Sequence, residues 1–352
     1  TAANVRWCAE EIRKAWQERA TAKACKMALE DLQEPGANRE KVTDRLLGEL
    51  DNIAKASQSR GPRPMGQDLR DVYSASREAS KTGGVHGIPT GFSRLDWWTS
   101  GLQKSNLIVL AAQTGMGKTS LAMNVAANVA RSGIGVVVIF SMEMGRSELA
   151  GRLVASEAGM NLRHLTAGQL AEEDWGKFEK VQESLGPAAN RILLDVSGRV
   201  TPTSIRAHLR GIQRRHDIAL VIVDYLQLCG TAERTESQYA RISNISGALK
   251  ALAVDFDVPV LALSQLSREA ARRKGEPRLS DLRDSGTIEQ DANVVVFIQR
   301  KDSKDKDEEE GTSATIIVAK NRNGPTGKFK LSWTPESVRF RDLTDRQDPL
   351  FG

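Results

Sequence analysis

One segment constrains this 352-residue chain more than any other. An apolar run at 107–112 leads into Gln113, Thr114, Gly115, Met116, Gly117, Lys118, Thr119 and Ser120, and an amphipathic stretch follows at 121–129. A strand, a glycine-rich turn and a helix start in that order turn backbone N–H groups inward and aim a helix N-terminus at the same point, an arrangement that suits an anion. Counted from Ala112, the spacing is that of a phosphate-binding P-loop, with alanine where the strict motif has glycine. In this reading residues 113–120 cradle ATP, Lys118 reaches its β- and γ-phosphates, and the Thr119 hydroxyl ligates Mg²⁺.

Two carboxylates end other apolar runs. Asp224 closes 219–223, and a carboxylate at the end of a buried parallel strand projects at the sheet edge where ligands bind in open α/β folds. Asp224 therefore suits a direct or water-mediated role toward Mg²⁺. Glu143 follows 136–140 and suits activation of a water for in-line attack on the γ-phosphate. Taken alone, Glu143 reads equally well as a surface carboxylate before Gly145.

The rest of the chain supplies a frame for such a site. From Gly87 onward, short β-branched runs at 107–112, 136–140, 192–196, 219–223 and 258–263 alternate with amphipathic segments. That alternation predicts an α/β fold with a mainly parallel sheet flanked by helices. Runs at 293–298, 315–319 and 328–333 lack intervening helices and are expected as antiparallel additions. Before Gly87 the chain reads as helical. Val5, Cys8, Ile12 and Trp16 share one face of a first segment, and Val42, Leu46, Leu50 and Ile53 share one face of a second, with a break at Glu34-Pro35-Gly36. A polar linker at 57–64 leads to a short helix over 68–80 with Leu69, Val72 and Tyr73 on one side, expected to dock on a neighbouring surface. These signals divide the chain into helical residues 1–60, a linker with its helix at 61–86, an ATPase domain at 87–345 and a tail at 346–352. An opening at Thr1 without methionine reads as a trimmed or partly recorded chain.

Composition limits the alternatives. Hydrophobic residues make up 40% and charged residues 27%, which supports a packed core and excludes global disorder. Lys and Arg number 50 against 45 Asp and Glu, a balance too mild to identify a nucleic-acid partner, so the placement of charge must do so. Three cysteines without a CxxC pair fit a reducing compartment. Residues 301–310 hold six acids and three lysines and read as a solvated loop. The four histidines and three cysteines form no metal-ligand spacing.

Several further motifs join the P-loop. They are Gly87-Ile-Pro-Thr-Gly-Phe-Ser-Arg-Leu-Asp96, Phe140-Ser-Met-Glu-Met144, Asp224-Tyr-Leu-Gln-Leu228, Leu263-Ser-Gln-Leu266, the segment 280–291 and Lys320-Asn-Arg-Asn-Gly-Pro325. Over roughly 87–340, in this order, the chain resembles the bacterial and phage replicative helicases of the DnaB family, whose motor is a RecA-like P-loop ATPase. Residues 1–80 resemble the end of that family's N-terminal helical region and its linker helix. The resemblance implies an ATP-dependent helicase subunit in a homohexamer ring that translocates 5′ to 3′ on single-stranded DNA, in the cytoplasm of a bacterial or phage-infected cell, with primase and a helicase loader as partners. It makes Glu143 the catalytic base and Gln265 a sensor between γ-phosphate and DNA. Lys320 and Arg322 become the pair that enters the neighbouring subunit's site, with Arg322 as arginine finger. Alternate residues of a strand point the same way, so 320 and 322 are expected to act together.

Residues 268–278 carry five basic and two acidic side chains on a glycine-containing loop, a composition that follows a phosphodiester backbone without reading bases. Set apart from the resemblance, it reads also as a solvated basic loop. The resemblance implies that Arg283, Asp284 and Gly286 face the ring's channel and contact strand phosphates, Asp284 standing where the family more commonly has Glu. A RecA-like recombinase and a non-unwinding ATPase switch remain the alternatives.

Overall fold

The computed structural model describes residues 2–58, 65–81, 86–198, 200–226, 229, 238–267, 270, 273, 275–282, 286–300 and 313–343. Three helices come first: α1 (Ala2–Gln33), α2 (Arg39–Gln58) and α3 (Gly66–Lys81). The α1–α2 hairpin turns at the expected Glu34-Pro35-Gly36 break, where Gly36 has φ +86°, a value that glycine adopts without strain. Ala24 and Ala28 are buried on α1, and an Arg45–Asp31 ion pair ties the hairpin together. The α1 stripe of Val5, Ile12 and Trp16 is exposed instead, as are Leu69, Val72 and Tyr73 of α3. Gly48 of α2 sits against the Thr203 methyl of the α/β body.

That body is a nine-stranded sheet in the order β3-β2-β4-β5-β1-β6-β7-β8-β9. Its strands are β1 (Leu107–Ala112), β2 (Val136–Ser141), β3 (Ile192–Asp195), β4 (Ile218–Asp224) and β5 (Val260–Gln265), then β6 (Val294–Gln299), β7 (Ser313–Asn321), β8 (Gly327–Thr334) and β9 (Arg339–Asp342). Helices α4 (Ser93–Thr99), α5 (Lys118–Ser132), α6 (Arg146–Ala158), α7 (Leu162–Ala167), α8 (Glu172–Ala189), α9 (Pro202–Gln213), α10 (Gln238–Phe256) and α11 (Gly286–Asp291) complete the domain.

Period-two side-chain alternation builds two cores from one sheet. In β1, Ile108 and Leu110 face Leu121 and Val125 of α5 and Leu149 of α6. Leu107 and Val109 face Ile205 and Leu209 of α9 and Leu249 of α10 on the other side. Each such aliphatic side chain stabilises the fold by roughly 1.5–3 kcal/mol when fully buried. Because both faces are covered, β1, β2 and β4 read as continuous apolar runs.

One expectation is corrected. The run at 293–298 is not an antiparallel addition: β6 lies parallel to β1, with Ile108 opposite Val294 and Ala112 opposite Ile298. The short α11 leads into β6 at the sheet's lower edge. Antiparallel pairing begins only at β7 and continues through β8 and β9. No helix among the described residues is long and apolar enough to cross a membrane.

Candidate nucleotide-binding site

The carboxyl ends of β1, β2, β4 and β5 form one edge, and the P-loop rises from its middle. Gly115 and Gly117 have φ +80° and +97°, which an L side chain adopts only at a cost of about 1–2 kcal/mol per residue. A Cβ on Gly117 would also stand 3.0 Å from the Phe340 ring. Ala112, by contrast, ends β1 in ordinary extended backbone, fully buried, so the missing motif glycine strains nothing. Gly117 then opens the 15-residue α5, whose first free N–H groups and dipole face the loop.

Side chains from four strands meet there. The Thr119 hydroxyl donates to Asp224 Oδ2 at 2.9 Å, across from β4. Asp224 is 2% exposed, and its Oδ1 is buried with no hydrogen-bond partner. Burial pushes the Asp224 carboxyl above its usual range, against the Thr119 hydrogen bond and the Lys118 charge. Burial likewise lowers the Lys118 ammonium, while Asp224 and then Glu143 push it back up. Glu143 is exposed, two residues past β2, and close enough to act on both groups. Gln265, paired in register with Ala112, donates its Nε2 to Thr114 Oγ1 at 2.5 Å. The next residues bridge Leu266 to Leu282 and bond Ser267 N to Asp281 O at 2.9 Å, which joins Gln265 to the start of the candidate DNA segment.

An orphaned, buried carboxylate oxygen beside a hydroxyl is a hard-oxygen donor set and fits Mg²⁺, which prefers few protein oxygens together with phosphate and water. This is a fit of the residues; Thr119 and Asp224 are the side chains that would hold the ion.

Three participants were not legible in the sequence. Arg300, just past β6, donates to Gly115 O at 3.2 Å and lies over the Trp333 ring at 4.8 Å. Trp333 and Phe340 pack together and against Gly117, with ring centroids 4.4 Å apart. The apolar runs around them were readable, but only the β6–β1 pairing brings Arg300 to the P-loop.

Lys320 and Arg322 lie elsewhere. Lys320 pairs with Val295 and Asn321 with Val294, at the start of β6, whereas the P-loop leaves β1 opposite Ile298. Three residues of strand, about 10 Å, separate the P-loop level from Lys320, and four, about 13 Å, separate it from Asn321. Lys320 and Arg322 are not the alternate residues of one strand that the sequence predicts: β7 has an irregularity at Ala319, between the Val296–Val318 and Val295–Lys320 pairs, and ends at Asn321, so Arg322 lies in the following turn. The two side chains instead share α11, with Lys320 Nζ donating to Glu289 O and Arg322 Nη2 to Gln290 O.

Of the candidate DNA contacts, Arg283 and Asp284 lie outside the described residues, as does the acidic stretch 301–310; Gly286 opens α11. Within the basic loop, Arg273 pairs with Asp281 and donates to Glu276 O.

The profile of the DnaB-like helicase C-terminal domain matches residues 87–342. The replicative DNA helicase DnaB of Geobacillus stearothermophilus is 37% identical over 99% of this chain and 77% of its own length. The replicative DNA helicase DnaC of Bacillus subtilis (strain 168) is 35% identical over the same shares. Among solved structures, a DnaB-like replicative helicase, described with its interactions with primase, superposes with a TM-score of 0.77 at 30% identity over 97% of this chain and 80% of its own. A second solved structure, an ATPase domain by itself, superposes with a TM-score of 0.74 at 35% identity and covers 80% of this chain and all of that one.

Proposed function

The chain belongs to the DnaB-like replicative DNA helicases, an ATP-hydrolysing family, and from that premise we propose how its residues divide the work. The observation that carries the reading is a separation. Thr119, Lys118, Asp224, Glu143 and Gln265 gather at the upper sheet edge, while the backbone of Lys320 sits about 10 Å below it and that of Arg322 about 13 Å or more. A protomer's own cations at 320 and 322 do not reach its own phosphates. They serve the P-loop of the next protomer, and the complete site forms only between chains of a homohexamer ring.

Within that site the P-loop amides of 113–120 and the α5 N-terminus hold the triphosphate, and Lys118 neutralises its β- and γ-oxygens. Thr119 and Asp224 would hold Mg²⁺, which would supply positive charge against the charge that builds on those oxygens. Glu143 orients and deprotonates the attacking water, and Gln265 senses the γ-phosphate beside Thr114. Arg322 acts as the finger in trans, a contribution worth about 10³–10⁵ in turnover in related phosphoryl transfers. Arg300 and Trp333, beside Gly115 and Gly117, border the nucleotide's remaining side. Leu266, next to Gln265, bridges to Leu282, beside the segment holding Arg283, Asp284 and Gly286, which follows single-strand phosphates in the channel. Translocation runs 5′ to 3′, and primase and a loader are the replication partners in the bacterial or phage-infected cytoplasm.

A forked-duplex assay with ATP and Mg²⁺ tests this reading. Strand separation by the parent and its loss in Lys118→Ala are expected; ATP turnover by an assembled ring without strand separation would overturn the motor assignment. Arg322→Ala is expected to bind nucleotide as the parent does while its kcat collapses.

A further inference from the structure

Arg322 has little holding it. It stands in a turn, is exposed, and its side chain rests on one main-chain carbonyl at the end of α11. A finger that must enter another protomer's site to within an ångström needs a fixed base, because a misplacement of about 1 Å can cost about 100-fold in rate.

The base is Asn293. Its carbonyl accepts the Arg322 N–H at 2.9 Å, and its own N–H donates to Leu107 O at 2.8 Å. Its side-chain Oδ1 accepts from Leu107 N at 3.1 Å and from Lys250 Nζ at 2.8 Å. Lys250, on α10, spends a second proton on Ser105 O at 2.7 Å, in the turn that starts β1. Asn293 is 8% exposed, so its amide is a buried polar group whose bonds set one geometry. The finger's backbone is thereby bolted to the lower end of the strand whose upper end carries the P-loop.

We propose that Lys250 and Asn293 are positioning residues for the trans-acting finger: they touch no nucleotide, and they fix where a protomer presents Arg322 to its neighbour. This assignment rests on the reading of Arg322 as a finger in trans. Lys250→Met, which keeps the aliphatic stem and removes both hydrogen bonds, is expected to lower kcat roughly 10- to 100-fold with KM for ATP unchanged. Lys250→Arg, which keeps donors in reach, is expected to recover most of the rate. Asn293→Ala deletes the shared acceptor and is expected to behave as Lys250→Met does.

The deciding experiment mixes variants of the full chain before ring assembly. Lys118→Ala has no working P-loop and an intact finger. Mixed one-to-one with Arg322→Ala, it is expected to restore ATP turnover toward about a quarter of the parent rate, the share of junctions pairing an intact loop with an intact finger. Lys250→Met and Asn293→Ala, each mixed with Lys118→Ala, are expected to recover alike, because the defect lies in what those chains donate and not in what they bind. Recovery with Arg322→Ala but with neither positioning variant would overturn this proposal and leave the finger standing. No recovery with Arg322→Ala would remove both. Parent-like kcat in Lys250→Met and Asn293→Ala alone would also overturn it.

Discussion

Asp96, at the first turn of α4, accepts N–H bonds from Thr90 at 2.8 and 3.1 Å and from Gly91 at 3.3 Å, yet burial outweighs them and raises its carboxyl from 3.8 to about 6. The charge of Asp342 adds to the rise. A folded-state value above the unfolded one means the folded chain holds this proton more tightly. Its stabilising effect is full below pH 3.8 and is lost as the pH climbs through about 6, for a total of about 3 kcal/mol at most. Asp96→Asn keeps an acceptor for Thr90 and cannot ionise. It is expected to melt close to the parent near pH 4 and above it at pH 7; parallel melting curves across that range would exclude the effect. Asp224 was readable in the sequence because a lone acid ending an apolar run, paired with a P-loop, has one plausible edge to occupy. Arg300 was not, because its meaning depends on a neighbour 185 positions away in sequence.

Elements were legible where periodicity alone decides them. The runs behind β1, β2 and β4 fell within a residue of their ends because burial on both faces leaves no polar position to blur them. Orientation was less readable: β6 is parallel although only the two-turn α11 precedes it, and a pattern that short resembles a loop. The α1 stripe shows the same limit, since spacing tells which residues share a face but not what covers it. The β7–β8 hairpin that carries Lys320 is pinned to α4 by Asn321 Nδ2 donating to Trp98 O at 2.8 Å and by the Trp98 ring lying on Gly327. A Cβ at Gly327 would meet that ring at 2.3 Å. Gly327→Ala is therefore expected to cost about 1–3 kcal/mol of stability by overpacking, measured as a lower denaturation midpoint. An unchanged midpoint would mean α4 yields freely and does not anchor the hairpin.

At the scale of the whole molecule, α3 carries Leu69, Val72 and Tyr73 at 62%, 64% and 68% exposure on one side, a contiguous apolar face that a single chain leaves open. In the proposed ring this face docks on an adjoining protomer. Leu69→Glu with Val72→Glu is expected to shift the assembly toward smaller species by light scattering while the melting of the α/β body stays within about 0.5 kcal/mol of the parent, as surface changes usually do. Assembly unaffected by the double change would detach α3 from ring formation.

The distance along β1 between what a chain receives and what it donates has a metabolic corollary. On the proposed assignment of Arg322, a subunit shed from the ring holds fuel it burns only slowly and a spark it cannot use, so idle copies consume little until they close on one another.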